Sequence, residues 1–171
     1  MNDDYLLVDG YNIIHAWNEL KVFVNRNDLD GAREKLLYMM SDYQGYKQIN
    51  VIVVFDAYNI KGGTIRQYKY NNIDVVYTAE AETADRFIER ITHKIGKINR
   101  VRVATSDALE QVIILGKGAT RLSARELHQE IKLSKKKQRE VFIQNKPPKN
   151  NMLEDNLPED VRQWLENFRR Q

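Results

Sequence analysis

Four aspartates stand just beyond short aliphatic runs: Asp9 closes LLVD, Asp56 closes VIVVFD, Asp107 follows VRVATS, and Asp85 lies in AEAETAD after IDVVYT. In an open parallel sheet, ligands bind at the carboxyl ends of the strands, so these four side chains are expected on one rim. Crowded carboxylates repel one another and their pKa values rise unless a cation neutralises them. Oxygen donors without histidine or cysteine suit Mg²⁺ or Mn²⁺. Ions of this kind activate water and stabilise a leaving oxygen in phosphodiester hydrolysis. Asn12, two residues after Gly10, adds an amide able to orient a carboxylate or a phosphate. Taken singly, each aspartate also reads as a helix cap or turn residue. Asp107 in particular is placed to cap a helix, and Asp56, ahead of a long loop, is the weakest member. The four together carry the argument.

The elements that must position this rim are visible in the pattern. Strands are expected at Tyr5–Val8, Ile49–Phe55, Ile73–Thr78 and Arg100–Thr105, with a weaker one at Ala119–Leu122. Their nearly continuous apolar character is that of a parallel sheet covered on both faces. Helices are expected at Asp28–Tyr43, Glu82–Ile95, Asp107–Leu115 and Ser123–Phe142, the last opened by a Ser123…Glu126 capping box. Alternation of this kind gives a three-layer α/β/α domain with a mainly parallel central sheet. Ala57–Asn72 lacks a helical pattern, contains Gly62-Gly63, and reads as a long surface loop. A linker at 146–151 precedes an amphipathic helix, Leu157–Arg170, expected to pack back on the same domain; the main body is 1–145 and the tail 146–171.

The chain has 171 residues, no cysteine and three scattered histidines. Disulfides, thiolate zinc sites and cysteine nucleophiles are excluded. Asp3 and Asp4 replace a basic leader, and no apolar stretch is long enough to span a bilayer, so a cytoplasmic protein with no membrane partner is expected. The net charge of +3 conceals a basic block: residues 86–149 hold 16 Lys/Arg against 6 Asp/Glu, whereas residues 1–85 hold 8 against 13. Such a block points to a polyanion, with nucleic acid first. No P-loop occurs, and Gly116-Lys-Gly118 precedes a strand instead of following one, so no nucleotide cofactor is expected.

The ordered set VDGYNII, VVFDAY, the glycine-containing loop, VVYTAEAETAD and VATSD resembles the YacP-like NYN domains of the PIN-like nuclease superfamily, over roughly residues 4–145. The resemblance implies a PIN-like fold and a metal-dependent endoribonuclease. It places Asp9, Asp85 and Asp107 as the acidic residues, with Asn12 and Asp56 in support, and leaves open whether Asp56 or Glu82 acts through water. Bacterial members include a ribosome-associated endonuclease that cuts mRNA in the A site, which implies mRNA, rRNA and the ribosome as partners.

Two stretches have the chemistry to hold RNA. Lys61, Arg66, Tyr68, Lys69 and Tyr70 mix cations with rings that can stack an unpaired base, unless the tyrosines pack on the sheet. Lys132, Lys135, Lys136, Lys137 and Arg139 make a dense positive run on a helix, suited to phosphates without sequence choice. The alternative to an endoribonuclease is a catalytically inactive RNA- or ribosome-binding adaptor. A metal phosphatase or a DNA nuclease on the same fold is a third reading.

Overall fold

The computed structural model describes residues 3–57, 64–108 and 118–145. The chain divides into two compact units, Met1–Lys135 and Lys136–Gln171. In the second, 136–144 complete a helix. The expected helix at Leu157–Arg170 with the 146–151 linker before it, the expected helix at Asp107–Leu115 beyond residue 108, and Lys61 with Gly62-Gly63 lie outside the described residues.

In the first unit the aliphatic runs form strands. These are β1 (Asp4–Asp9), β2 (Asn50–Phe55), β3 (Arg66–Tyr70), β4 (Ile73–Tyr77), β5 (Arg100–Ala104) and β6 (Thr120–Leu122). They make one sheet in the order β3-β4-β2-β1-β5-β6. All neighbours are parallel except β3 and β4. The first strand runs through the middle, with Leu6, Leu7 and Val8 fully buried between two apolar layers. Full burial of a side chain of this size is worth about 1.5–3 kcal/mol.

Five helices are described: α1 (Gly10–Ala16), α2 (Asn18–Asn25), α3 (Leu29–Lys47), α4 (Ala84–Ile95) and α5 (Ala124–Gln144). One sheet face, presenting Leu6, Val8, Val53 and Phe55, packs on α1, α2, α3 and the first half of α5. The other, presenting Leu7, Val54 and Val103, packs on Ala84, Phe87 and Ile88 of α4. The α/β/α expectation holds.

Two features depart from the sequence pattern. The Ala57–Asn72 segment is not all loop, because Arg66–Tyr70 pairs antiparallel with β4 as an edge strand. Its residues are too polar and exposed to show strand alternation. The hairpin turn is Asn71-Asn72, with Asn71 at φ 51, a left-handed position that asparagine tolerates. Asn72 anchors this turn to α3: Ser41 Oγ donates to its Oδ1 at 2.6 Å and Gln44 Nε2 to its carbonyl at 2.5 Å. The second departure is α1 and α2, helices broken at Trp17, where neither piece is long enough for a clean periodic stripe.

Candidate active site

The first strand ends on Asp9, which becomes the N-cap of α1 and accepts the Asn12 backbone N–H at 3.3 Å. Asp9 is only 8% exposed. Gly10 is required here by space: a Cβ at that position would overlap the Phe55 ring. Asn12 turns its side chain across the sheet, and its Oδ1 accepts both the N–H and the hydroxyl of Ser106, each at 2.6 Å. The carboxyl ends of β1 and β5 are thereby tied together. One residue on, the Asp107 N–H donates to Thr105 Oγ1 at 3.1 Å.

On the other flank, Asp56 follows β2 and accepts the Ala84 N–H on Oδ1 at 2.5 Å. That bond fixes the first residue of α4, where Thr83 caps the helix through the Arg86 N–H. Asp85 is the next residue, so Asp56 sets where Asp85 begins. Thr78 supports the same corner: its hydroxyl receives the Ala57 N–H at 3.4 Å and also bonds the Asp56 carboxylate. Glu82, by contrast, forms a two-pronged pair with Arg90 at 3.0 and 3.1 Å.

The electrostatics show mutual crowding. Burial, with the Asp85 and Asp56 charges and hydrogen bonding to Asp85 adding to it, lifts Asp9 to about 7 against the opposing Asn12 N–H. Burial also raises Asp85, assisted by the charges of Asp107 and Asp56. Asp56 is raised by burial, offset by its bonds from Ala84 and Thr78. Charge coupling thus links Asp9 with Asp85 and Asp56, and Asp85 with Asp107 and Asp56.

Among the described residues, no three Asp, Glu or His side chains are gathered into a ready cation cage. Mg²⁺ does not need one, since it keeps several waters and takes one or two carboxylates with substrate phosphate. The donor set is all oxygen, and the raised Asp9 and Asp85 are groups whose repulsion a cation would relieve. By donor chemistry the rim fits Mg²⁺ or Mn²⁺.

The expected RNA-contacting residues fall in separate places. Tyr68 on β3 is 43% exposed and stacks on Tyr77, which stacks on Phe55, which meets Tyr11 beside Asp9. Tyr70 is half-buried against the core, and Lys69 pairs with Asp74 at 2.8 Å. Arg66 is exposed. On α5, Lys132 is exposed and Lys135 half-buried in the first unit, while Lys136, Lys137 and Arg139 are exposed in the second. Ser106 and Thr78 were not singled out from the sequence as site residues. Hydroxyls directly after strands that lead to acids, in VATSD and VVYT, were the available signal.

Sheet order, layers and an acid-lined carboxyl rim define a PIN-like NYN domain, a nuclease-type class. Residues 6–170 match the family model of the YacP-like NYN domain, and the chain belongs to that family. It is 41% identical over 170 residues to YacP of Bacillus subtilis (strain 168), described as an uncharacterised protein, covering 98% of this chain and 97% of that one. The crystal structure of Rae1 (YacP) from Bacillus subtilis is similar at TM-score 0.69 and 38% identity, covering 99% of this chain and 95% of that chain. A tryptophan-to-leucine variant of Rae1 matches at TM-score 0.71 and 36% identity, over 96% and 98% of the two chains. No helix among the described residues is long and apolar enough to cross a membrane.

Proposed function

We propose that this protein is a metal-dependent endoribonuclease that hydrolyses phosphodiester bonds of mRNA, acting on messages held in the ribosomal A site. The carrying observation is the crowding of Asp9, Asp56, Asp85 and Asp107 at one rim, with Asp9 lifted to about 7. Membership of the YacP-like NYN family supports a nuclease over an inert adaptor. The ribosome enters through the family resemblance of the sequence motifs.

Asp9 and Asp85 are the pair that would hold Mg²⁺ or Mn²⁺, with Asp107 bordering Asp85. When bound, the ion supplies a Lewis acid for the scissile phosphate and a water of lowered pKa. The protein's own part is positional. Asn12 and Ser106 lock the β1 and β5 ends, and Asp56 sets the start of α4, so the carboxylates need not reorganise during reaction. Arg66 and the exposed lysines of α5 hold phosphates by charge alone, so target choice comes from docking on the ribosome instead of base reading.

The test is mRNA cleavage in a translating extract, comparing wild type with Asp9→Asn and Asp85→Asn, each first shown to fold and to co-sediment with ribosomes. Loss of cleavage in both variants, with binding kept, is expected. Unaltered messages with all three proteins bound would make it an adaptor. Free, unstructured RNA is expected to be cut weakly at physiological salt; efficient cutting would remove the ribosome from the proposal.

A further inference from the structure

A cleft of about 610 Å³ opens beside the acid rim, between the α1–α2 junction and the first turns of α5. All of its lining lies in the first unit. Its wall is built from Trp17 and His128, whose rings lie 4.8 Å apart and tilted by 32°. Trp17 is nearly fully buried and pinned by its Nε1–H, which donates to the Ala124 carbonyl at 2.7 Å. His128 is held from the other side by Glu19 Oε1, at 2.7 Å from its Nε2. The imidazole is thus a fixed ring, backed by an indole and partly open to the cleft. Arg125 and Lys132 line the same space, and both are exposed.

Ser106 joins this cleft to the chemistry. It lines the cavity, and it is also the residue whose N–H and hydroxyl are received by Asn12, next to Asp9. We propose that the cleft seats one unpaired nucleotide of the RNA adjacent to the scissile phosphate, with its base against His128 and its phosphate on Arg125 and Lys132. This rests on the endoribonuclease reading above. The volume is of the size that takes small ligands, and a single nucleotide fits within it. Two cations at one border and a ring at the wall are the pairing by which proteins hold single strands without base readout. Glu19 is the one carboxylate of the lining, and its charge is directed at His128. An unpaired nucleotide is favoured over duplex, because a paired base has no free face to offer the imidazole.

The test measures affinity of the full chain for a short unstructured oligoribonucleotide at low salt without divalent ions, and cleavage of translated mRNA with the same variants. Arg125→Glu and Lys132→Glu change exposed residues, and each is expected to weaken binding roughly fivefold or more and to flatten the salt dependence by about one phosphate contact. His128→Ala is expected to weaken it by roughly 5- to 100-fold, and His128→Phe to restore most of the loss because stacking survives. Lys94→Glu, exposed at the far end of α4, is the control and should bind as wild type. Unchanged binding by the Arg125 and Lys132 variants, equal weakening by Lys94→Glu, or no binding by wild type overturns the assignment. The two proposals fail separately. Cleft-dependent binding without cleavage by any protein keeps the cleft as a seat for an unpaired nucleotide but overturns its place beside a scissile phosphate, together with the nuclease; full cleavage by Arg125→Glu and His128→Ala leaves the nuclease and removes this site.

Discussion

Asn12 and Ser106, 94 residues apart, are joined by two hydrogen bonds to a single oxygen: the Ser106 N–H and its hydroxyl both donate to Asn12 Oδ1 at 2.6 Å. The side chain of one is the brace for the backbone of the other. Asn12 also donates its own N–H to Asp9. The brace therefore runs from the β5 exit to the carboxylate at the end of β1.

Breaking the brace should cost activity more than stability. Ser106→Ala keeps the N–H bond and is expected to lose about 1 kcal/mol or less. Asn12→Ala removes both bonds and should lower cleavage roughly 10- to 100-fold while the protein still folds. The double variant should be no worse than Asn12→Ala alone, because the hydroxyl then has no partner to lose. Additive losses in urea denaturation and in cleavage rate would show that the two residues act independently.

Asp9 makes stability depend on pH. Its folded pKa, about 7, lies above its ordinary value of 3.8, so the folded state holds a proton that the unfolded state has released. Stability linked to Asp9 is full below about pH 4 and is lost as pH rises through 7. Asp9→Asn keeps a capping side chain and removes the buried charge, so without metal it should be more stable than wild type at pH 8, by about 4 kcal/mol at most. Added Mg²⁺ should raise the wild-type Tm at pH 8 and leave Asp9→Asn nearly unmoved. A Tm difference independent of pH would contradict the buried-proton account.

Asp56 should behave as a positioning residue. Asp56→Ala leaves the Ala84 N–H without its acceptor and is expected to destabilise by roughly 1–3 kcal/mol. Asp56→Asn retains an acceptor and should recover most of that stability. Comparing Mg²⁺ affinity of the two by calorimetry separates placement from charge. Equal loss in both marks Asp56 as a direct ligand, whereas recovery in Asp56→Asn marks it as the support of Asp85.

Tyr68 offers an outward ring on a stacked ladder. Tyr68→Ala should weaken RNA binding by about 1–3 kcal/mol and Tyr68→Phe should not, with little change in thermal stability because the ring is 43% exposed. A fall in Tm equal to that of a core truncation, with unaltered RNA affinity, would make the ladder structural only.

What the sequence disclosed follows from how each part is stabilised. The strands flanking Asp9, Asp56 and Asp107 are buried on both faces, so their apolar runs and end points stand out, and Glu82–Ile95 shows one clean stripe. The edge strand Arg66–Tyr70 was hidden because its stability comes from backbone pairing with β4 and from Asn72's anchorage to α3, neither of which imposes an apolar pattern. The Trp17–His128 wall joins residues over 100 positions apart, so it was beyond any local reading. Ser106 and Thr78 act through local hydrogen bonds to Asn12, Ala57 and Asp56, which leave no periodic trace.

The central place of β1 governs when the site can come into being. Its partners are β2, where Tyr5 meets Asn50, and β5, where Asp4 meets Arg100. Closing the second of these contacts spans most of the chain, and such distant pairings are formed late and slowly. A nascent chain that has emerged only as far as Asp56, just past β2, has two of the acids but neither Asp85 nor Asp107 and no Ser106 to brace Asn12. The acid rim can thus be completed only after the chain has been made past Asp107, and a translation product truncated before that residue is left without it.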